Sequence, residues 1–141
     1  MAPGVSKLAN KDLYDFHILI TPDNISEIFQ NKAIALCEDR QDAVAIIDPP
    51  IGLIVENVIN CHNGSGFGRS TALTSNYAAT YCPWWKIYEN SNGKAKYTWV
   101  MPSAVMEAKY VIVDKTAGCW YEPAGETNGQ LIIFFNSFHK R

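Results

Sequence analysis

One uninterrupted apolar run near the middle of the chain limits the folds that are open to it. Residues 43–47 read Ala-Val-Ala-Ile-Ile, and Asp48-Pro49-Pro50 ends the run abruptly. A strand with one face in water alternates apolar and polar residues, whereas a strand covered on both faces does not. The run therefore predicts a central strand of a parallel sheet.

The segments on either side of this run complete an α/β pattern. Residues 13–20 favour a strand, and residues 53–61 repeat apolar side chains at helical spacing. Between the first strand and the apolar run, Asp23 or Asn24 is the predicted N-cap of a helix, and with Asn24 as the cap Glu27 falls at the capping-box position. The order strand, helix, strand, helix predicts parallel crossover units. The predicted apolar face of the first helix consists of Ile25, Ile28, Phe29, Ala33, Leu36 and Cys37.

The second half of the chain predicts a β-hairpin followed by a helix. Residues 77–88 and 94–100 are rich in aromatic and β-favouring residues and flank an Asn-Ser-Asn-Gly turn. Pro102 suits the first turn of a helix, and Gly118 suits its end. Residues 131–138 are apolar enough for a last strand. The predicted class is α/β, a layered sheet with parallel crossover units plus a hairpin.

The composition is that of a globular protein without an electrostatic partner. Of the 141 residues, 48% are hydrophobic and 18% are charged, and the net charge is -2. This charge predicts no nucleic-acid partner, and the apolar runs are too short for membrane insertion. We expect a flexible N-terminal arm over residues 1–11 and a single α/β domain over residues 12–141.

The four cysteines lie far apart, at Cys37, Cys61, Cys82 and Cys119. Their spacing matches neither a Cys-x-x-Cys pair nor a zinc site. We therefore expect reduced, mostly buried thiols, with no metal and no cofactor.

Asp48 is the residue with the strongest claim to chemistry. It follows an apparent parallel strand, where α/β enzymes place ligands and catalytic acids. The favoured interpretation is that its carboxylate accepts backbone hydrogen bonds and shapes the proline turn, because no second acid or histidine pairs with it locally. The alternative is a small α/β hydrolase-like or metal-assisted enzyme centred on Asp48 and the loop at residues 63–75. A cleft that joins Asp48 to a histidine or a cysteine would favour that alternative.

Other motifs for catalysis or binding are incomplete. The glycines of residues 64–68 resemble a phosphate cradle, but they follow a helix and lack the spacing of a dinucleotide site, so a flexible surface loop is favoured. Cys61 and His62 are neighbours, yet adjacent helical side chains point about 100° apart. Three roles are open for Trp84 and Trp85, namely stacking on nucleic acid, contact between subunits and packing in the core. The remaining histidines are His17 and His139.

Three stretches of sequence together resemble the central domain of contractile phage tail sheath proteins, in the family's order over about residues 33–130. The first runs from Cys-Glu-Asp-Arg to Ile-Ile-Asp-Pro-Pro, and the second reads Ser-Asn-Tyr-Ala-Ala-Thr-Tyr-Cys-Pro-Trp. The third begins Met-Pro-Ser and ends Pro-Ala-Gly. The residues that carry the resemblance are Glu38, Arg40, Asp42, Asp48, Pro49, Tyr77, Ala78, Pro83, Trp84, Pro102, Ser103, Asp114, Gly118, Trp120, Pro123 and Gly125.

The resemblance implies a structural subunit and not an enzyme. Sheath subunits form six-fold rings around a tail tube, and the sheath contracts to drive the tube through the host envelope. The implied partners are other sheath subunits, the tail tube protein, and baseplate and tail-terminator proteins. The implied location is the virion tail, with the host cytoplasm during assembly. Because family members are several times longer, the resemblance implies part of a central domain of subtilisin-like topology, without catalytic, cofactor-binding or metal-binding residues.

Overall fold

The fold is α/β, as the sequence predicts. The computed structural model describes residues 3–22, 26–91, 94–118 and 120–121. In chain order, the elements are α1 (Pro3–Lys7), β1 (Ile18–Ile20), α2 (Glu27–Arg40), β2 (Val44–Ile47), α3 (Val55–His62), β3 (Ala78–Thr80), β4 (Trp85–Ser91), β5 (Lys94–Val100) and α4 (Pro102–Thr116).

The apolar run forms β2, the central strand of a parallel three-stranded sheet of order β1-β2-β3. Ile46 is in register with Ile20 of β1 and Ala79 of β3. Successive strand residues point to opposite faces, yet Ala45, Ile46 and Ile47 are all at most 2% exposed. Both faces of β2 are therefore covered, which confirms the predicted central parallel strand.

The core of this sheet lies on one side against α2. Its buried members come from α2, from β2 and the residue before it, and from the segment after α3. Burial of these side chains contributes most of the favourable free energy of folding in this part of the chain. The buried cluster consists of Ile34, Cys37, Ala43, Ala45, Ile47 and Leu73.

The predicted hairpin forms, but residues 77–88, predicted as its first strand, are divided between two sheets. Residues 85–91 pair with residues 94–100 in the antiparallel β4–β5 hairpin, which confirms that prediction. Residues 78–80 instead join β2 as the parallel strand β3. Pro83 lies between the two strands, and a proline has no N–H to donate to a ladder. The turn glycine of the hairpin and the predicted strand at 131–138 lie outside the described residues.

The N-terminus of α2 differs from the sequence prediction. The N-cap is Ser26, and Asp23 and Asn24 lie outside the described residues. Ile28, predicted to be on the apolar face, is 70% exposed, while Gln30 and Arg40 are buried on α2. Ala33, Leu36 and Cys37 of the predicted face are buried, so among the described residues the prediction was wrong only at Ile28. Apolar spacing alone does not identify the polar side chains that are buried with hydrogen-bond partners.

The chain divides into two compact units. The first comprises Met1–Trp84 and Met101–Ala104, and it holds the parallel sheet and the first turn of α4. The second comprises Trp85–Val100 and Val105–Arg141, and it holds the hairpin and the rest of α4. The single domain predicted over residues 12–141 stays a prediction.

Residues 3–7 form a short helix within the segment that the sequence predicts to be a flexible arm, and the flexibility itself stays a prediction. α1 begins at Pro3, and proline is tolerated there because the first helical position needs no N–H donor. The chain after α1 is bound by Arg40, whose Nη1 donates to the Leu8 carbonyl at 2.7 Å and whose Nη2 donates to the Tyr14 carbonyl at 2.9 Å. The segment is therefore attached to the end of α2.

Arg40 is almost fully buried, and its charge is compensated within the chain. Only 1% of its surface is exposed. Its Nε and Nη2 donate to the two carboxylate oxygens of Asp42 at 2.9 and 3.0 Å, and its guanidinium lies 4.2 Å from the centre of the Phe16 ring. The arginine lowers the pKa of the Asp42 carboxyl by hydrogen bonding.

Replacing Arg40 by lysine tests this attachment. A lysine keeps the charge but cannot donate in a fork to Asp42 and also reach both carbonyls. We expect Arg40→Lys to lower the free energy of unfolding by about 3 kcal/mol, because it loses the hydrogen bonds to the Leu8 and Tyr14 carbonyls and a bond to a charged donor contributes about 1.5 kcal/mol or more. Urea denaturation measures the change. The exposed neighbour Asp39 provides the control, since Asp39→Asn should change stability by less than about 0.5 kcal/mol. Equal effects of both substitutions would contradict the assignment.

Candidate functional site

Asp48 lies at the carboxyl end of β2 and is bound by the start of α4. Its side chain is 5% exposed, and Ser103, the second residue of α4, is fully buried. Oδ1 accepts the Ser103 backbone N–H at 2.8 Å, and Oδ2 accepts the Ser103 hydroxyl at 2.5 Å. The first N–H groups of a helix have no partner within it, and the helix dipole favours an anion there. Asp48 therefore caps α4 from another part of the chain.

This contact confirms that the Asp48 carboxylate accepts a backbone hydrogen bond, while its shaping of the proline turn stays a prediction. The carboxylate accepts a backbone hydrogen bond, as predicted, but the donor is Ser103 and the two residues are 55 apart in sequence. The proline turn next to Asp48 is held by a separate hydrogen bond, which Trp84 Nε1 donates to the Pro49 carbonyl at 2.7 Å. Trp84 and its neighbour Trp85 are both half-buried.

A small cavity joins Asp48 to Cys61 and His62, which is the cleft that the enzyme alternative calls for. Its volume is about 10 Å³, and a single water needs about 10–15 Å³. Burial raises the pKa of the Cys61 thiol, which disfavours the reactive thiolate. The cavity thus brings the named residues together but offers no room for an organic substrate.

The loop at residues 63–75 is fastened to the first turn of α2 by a carboxylate. Glu27 accepts four hydrogen bonds, from the backbone N–H groups of Ser70 and Thr71 at 3.1 and 2.9 Å and from their hydroxyls at 2.7 and 2.6 Å. These bonds lower the pKa of Glu27 from 4.5 to about 2. The two residues that follow Arg69 thus bind an internal carboxylate.

Arg69 provides the second attachment of the same loop. It is 6% exposed, and its Nη1 and Nη2 donate to Gln30 Oε1 and Asn31 Oδ1, each at 2.7 Å. Its Nε donates to the Thr71 carbonyl at 3.3 Å. The loop is therefore anchored on α2 at both Glu27 and Arg69. The sequence contains no local signal for either contact, because about 40 residues separate the partners.

A larger open groove runs between α2 and the extended residues 71–75. Its volume is about 240 Å³. Arg69 and Asn31 contribute to its lining, as do the exposed Glu38 and the side chains of Thr74 and Ser75. No sequence motif pointed to this groove.

The other candidate side chains are dispersed. His17 is exposed, with Nδ1 3.2 Å from the Asp42 carbonyl oxygen. Burial raises the pKa of the Cys37 thiol to about 11, whereas Cys82 is exposed. Within the described part of the chain, no three histidine, cysteine or acidic side chains are grouped to hold a metal ion. His139 and Cys119 lie outside the described residues.

The remaining residues of the sheath resemblance occupy varied positions. Tyr77 and Ala78 pack against the core cluster. Pro83 follows a cis peptide bond, and Pro102 is buried at the start of α4. On and after the rest of α4, Asp114 is exposed, Gly118 has a φ of 98° and Trp120 is 82% exposed. Pro123 and Gly125 lie outside the described residues.

Comparison with known proteins assigns no family. No protein-family model matches the chain, and no curated protein sequence matches it. Among the described residues, no helix is both long enough and apolar enough to span a bilayer.

A double-mutant cycle tests the contact between Asp48 and Ser103. Charge-assisted hydrogen bonds contribute about 1.5–3 kcal/mol, so we expect Asp48→Asn and Ser103→Ala each to lower the free energy of unfolding by about 2 kcal/mol. The double variant should lose about 1–2 kcal/mol less than the sum, because both substitutions remove the same bond. Urea denaturation gives the values, with Asp114→Asn on the exposed side of α4 as the control. Additive losses would show that the two residues are not coupled.

The pH dependence of stability tests the Glu27 contact. The folded pKa is about 2 against an ordinary value of 4.5, so the carboxylate binds fewer protons in the folded state. Its contribution is present above pH 4.5 and is lost as the pH falls toward 2. We expect wild type to lose more stability over this interval than Glu27→Gln does, as measured by urea midpoints across it. Glu56→Gln, at an exposed residue of α3, should behave like wild type. Parallel curves for wild type and Glu27→Gln would exclude the contact in solution.

Proposed function

We propose that this chain is a structural subunit, or part of one, of a contractile tail sheath. The proposal rests on the sequence resemblance to that family. One structural observation supports it above the others: residues that carry the resemblance bind one another across long stretches of chain. Ser103 binds Asp48, and Trp84 binds Pro49. These residues of the resemblance therefore make contacts that stabilise the fold.

A third pair is local in sequence, and its arginine also binds the distant carbonyls of Leu8 and Tyr14. Arg40 and Asp42 form a bidentate ion pair that organises the end of α2 and the chain before β1. All three contacts join segments of the first compact unit. A sheath subunit needs a rigid body of this kind, because contraction moves subunits against each other at interfaces with two stable arrangements. Contacts that propagate along a helical assembly must also be heterologous.

The partners in this proposal are other sheath subunits, the tail tube protein, and baseplate and tail-terminator proteins. The location is the virion tail, reached after assembly in the host cytoplasm. The enzyme alternative has one observation in its favour, the lining of the small cavity by Asp48, Cys61 and His62. The volume of that cavity, the raised pKa of Cys61 and the binding of Asp48 by Ser103 all favour the structural role.

Immunogold electron microscopy tests the proposal. Antibodies raised against the recombinant chain are applied to purified contractile-tailed particles from the source culture. We expect gold along the whole sheath, in both extended and contracted tails, because a sheath repeats one subunit along its length. Antibody absorbed beforehand with the recombinant chain should give no labelling. Labelling confined to the capsid or the fibres, or no labelling of the particles, would refute the proposal.

A further inference from the structure

The first compact unit buries two arginines, and their surroundings differ in charge. Arg40 and Arg69 are 1% and 6% exposed. Arg40 has the Asp42 carboxylate as a counter-ion. Arg69 has three neutral acceptors, namely Gln30 Oε1, Asn31 Oδ1 and the Thr71 carbonyl. A buried cation is strongly favoured by an anionic partner, since neutral dipoles replace only part of its lost hydration.

Neither Glu27, which binds the same loop, nor Asp48, which lines the small cavity together with Arg69, forms an ion pair with Arg69. Among the described residues, no carboxylate oxygen lies within 4.0 Å of the Arg69 guanidinium. Glu27 is bound on the same loop, but its two oxygens already accept four hydrogen bonds from Ser70 and Thr71. A guanidinium has five N–H groups, and three of those of Arg69 are bound to the neutral acceptors.

The groove beside α2 gives access to Arg69. Its volume of about 240 Å³ accommodates a small organic acid or an acidic side chain. Thr74 and Ser75 bring hydroxyl groups to its lining. Glu38 also lines it, seven residues after Asn31 on α2, or about 10 Å along the helix axis. Salt screens charges that lie more than about 8 Å apart, and Glu38→Gln measures how far this carboxylate opposes an anion at Arg69.

We propose that this groove is a carboxylate-binding site in which Arg69 is the binding residue. The ligand is either a free small carboxylate or an aspartate or glutamate side chain of a second copy of the chain. Both present the same group, a carboxylate, which accepts charge-assisted hydrogen bonds from the two guanidinium N–H groups of Arg69 that remain. The site goes beyond the proposed sheath role and does not depend on it.

Asn31→Asp is the decisive variant because it preserves shape. In the native chain, Asn31 Oδ1 accepts a hydrogen bond from Arg69 Nη2 at 2.7 Å. The substitution puts a carboxylate at that position, so that an internal anion replaces the carboxylate of the ligand as the partner of Arg69. In isothermal titration calorimetry, glutarate should bind wild type saturably and bind Asn31→Asp about tenfold more weakly. The variant should also unfold at a higher urea concentration, which shows that it is folded and that the charge is compensated.

Two controls and one further measurement complete the experiment. Glu38→Gln changes a charge in the same groove and should alter glutarate affinity by less than about twofold. Inorganic phosphate should bind more weakly than glutarate. Sedimentation of wild type without glutarate identifies the source of the carboxylate. If wild type self-associates, and both glutarate and Asn31→Asp abolish the association, the carboxylate belongs to a second copy. If wild type is a monomer that binds glutarate, the ligand is a free small carboxylate. Absence of saturable glutarate binding, equal affinity in Asn31→Asp, or tighter phosphate binding would overturn the proposal. None of these outcomes bears on immunogold labelling of tails.

Discussion

Coverage of β2 on both faces is the requirement around which the first compact unit is arranged. Three consecutive residues of this strand are buried, so one face must pack against α2 and the other must also be shielded from water. A parallel neighbour on each side satisfies the strand's backbone groups. Parallel pairing in turn requires long connections between strands. Those connections carry the helices and the irregular loop at residues 63–75.

The irregular connections are held by polar contacts, each of which uses a charged side chain to bind backbone groups or amides. Arg40 binds the chain before β1, Glu27 and Arg69 bind the loop after α3, and Asp48 binds the start of α4. Hydrogen bonds to charged groups are roughly twice as strong as neutral ones. A small apolar core is thus supplemented by a few strong contacts placed where the chain has no regular structure.

The sequence was informative where a single local property decides the structure. An apolar run without alternation identified β2, helical spacing identified α2 and α3, and proline at the first turn identified α4. The role of Glu27 was missed because its partner Ser70 lies 43 residues away. The exposure of Ile28 was missed because polar side chains, Gln30 and Arg40, are buried on α2. The division of residues 77–88 between two sheets was missed for a similar reason: β-favouring side chains do not specify which strand they will join. The roles of Asp48 and Arg69 likewise depend on residues that only the fold brings close.

The contact of Asp48 with Ser103 also has a consequence for the order of folding. It closes a segment of 55 residues, and such a closure costs more conformational entropy than the local contacts of a helix or a hairpin. The β4–β5 hairpin lies within that segment and pairs residues close in sequence. Local pairs of this kind form without waiting for distant ones. The cap on α4 is therefore expected among the later contacts, and the first turn of that helix gains its anion only once the end of β2 is in position.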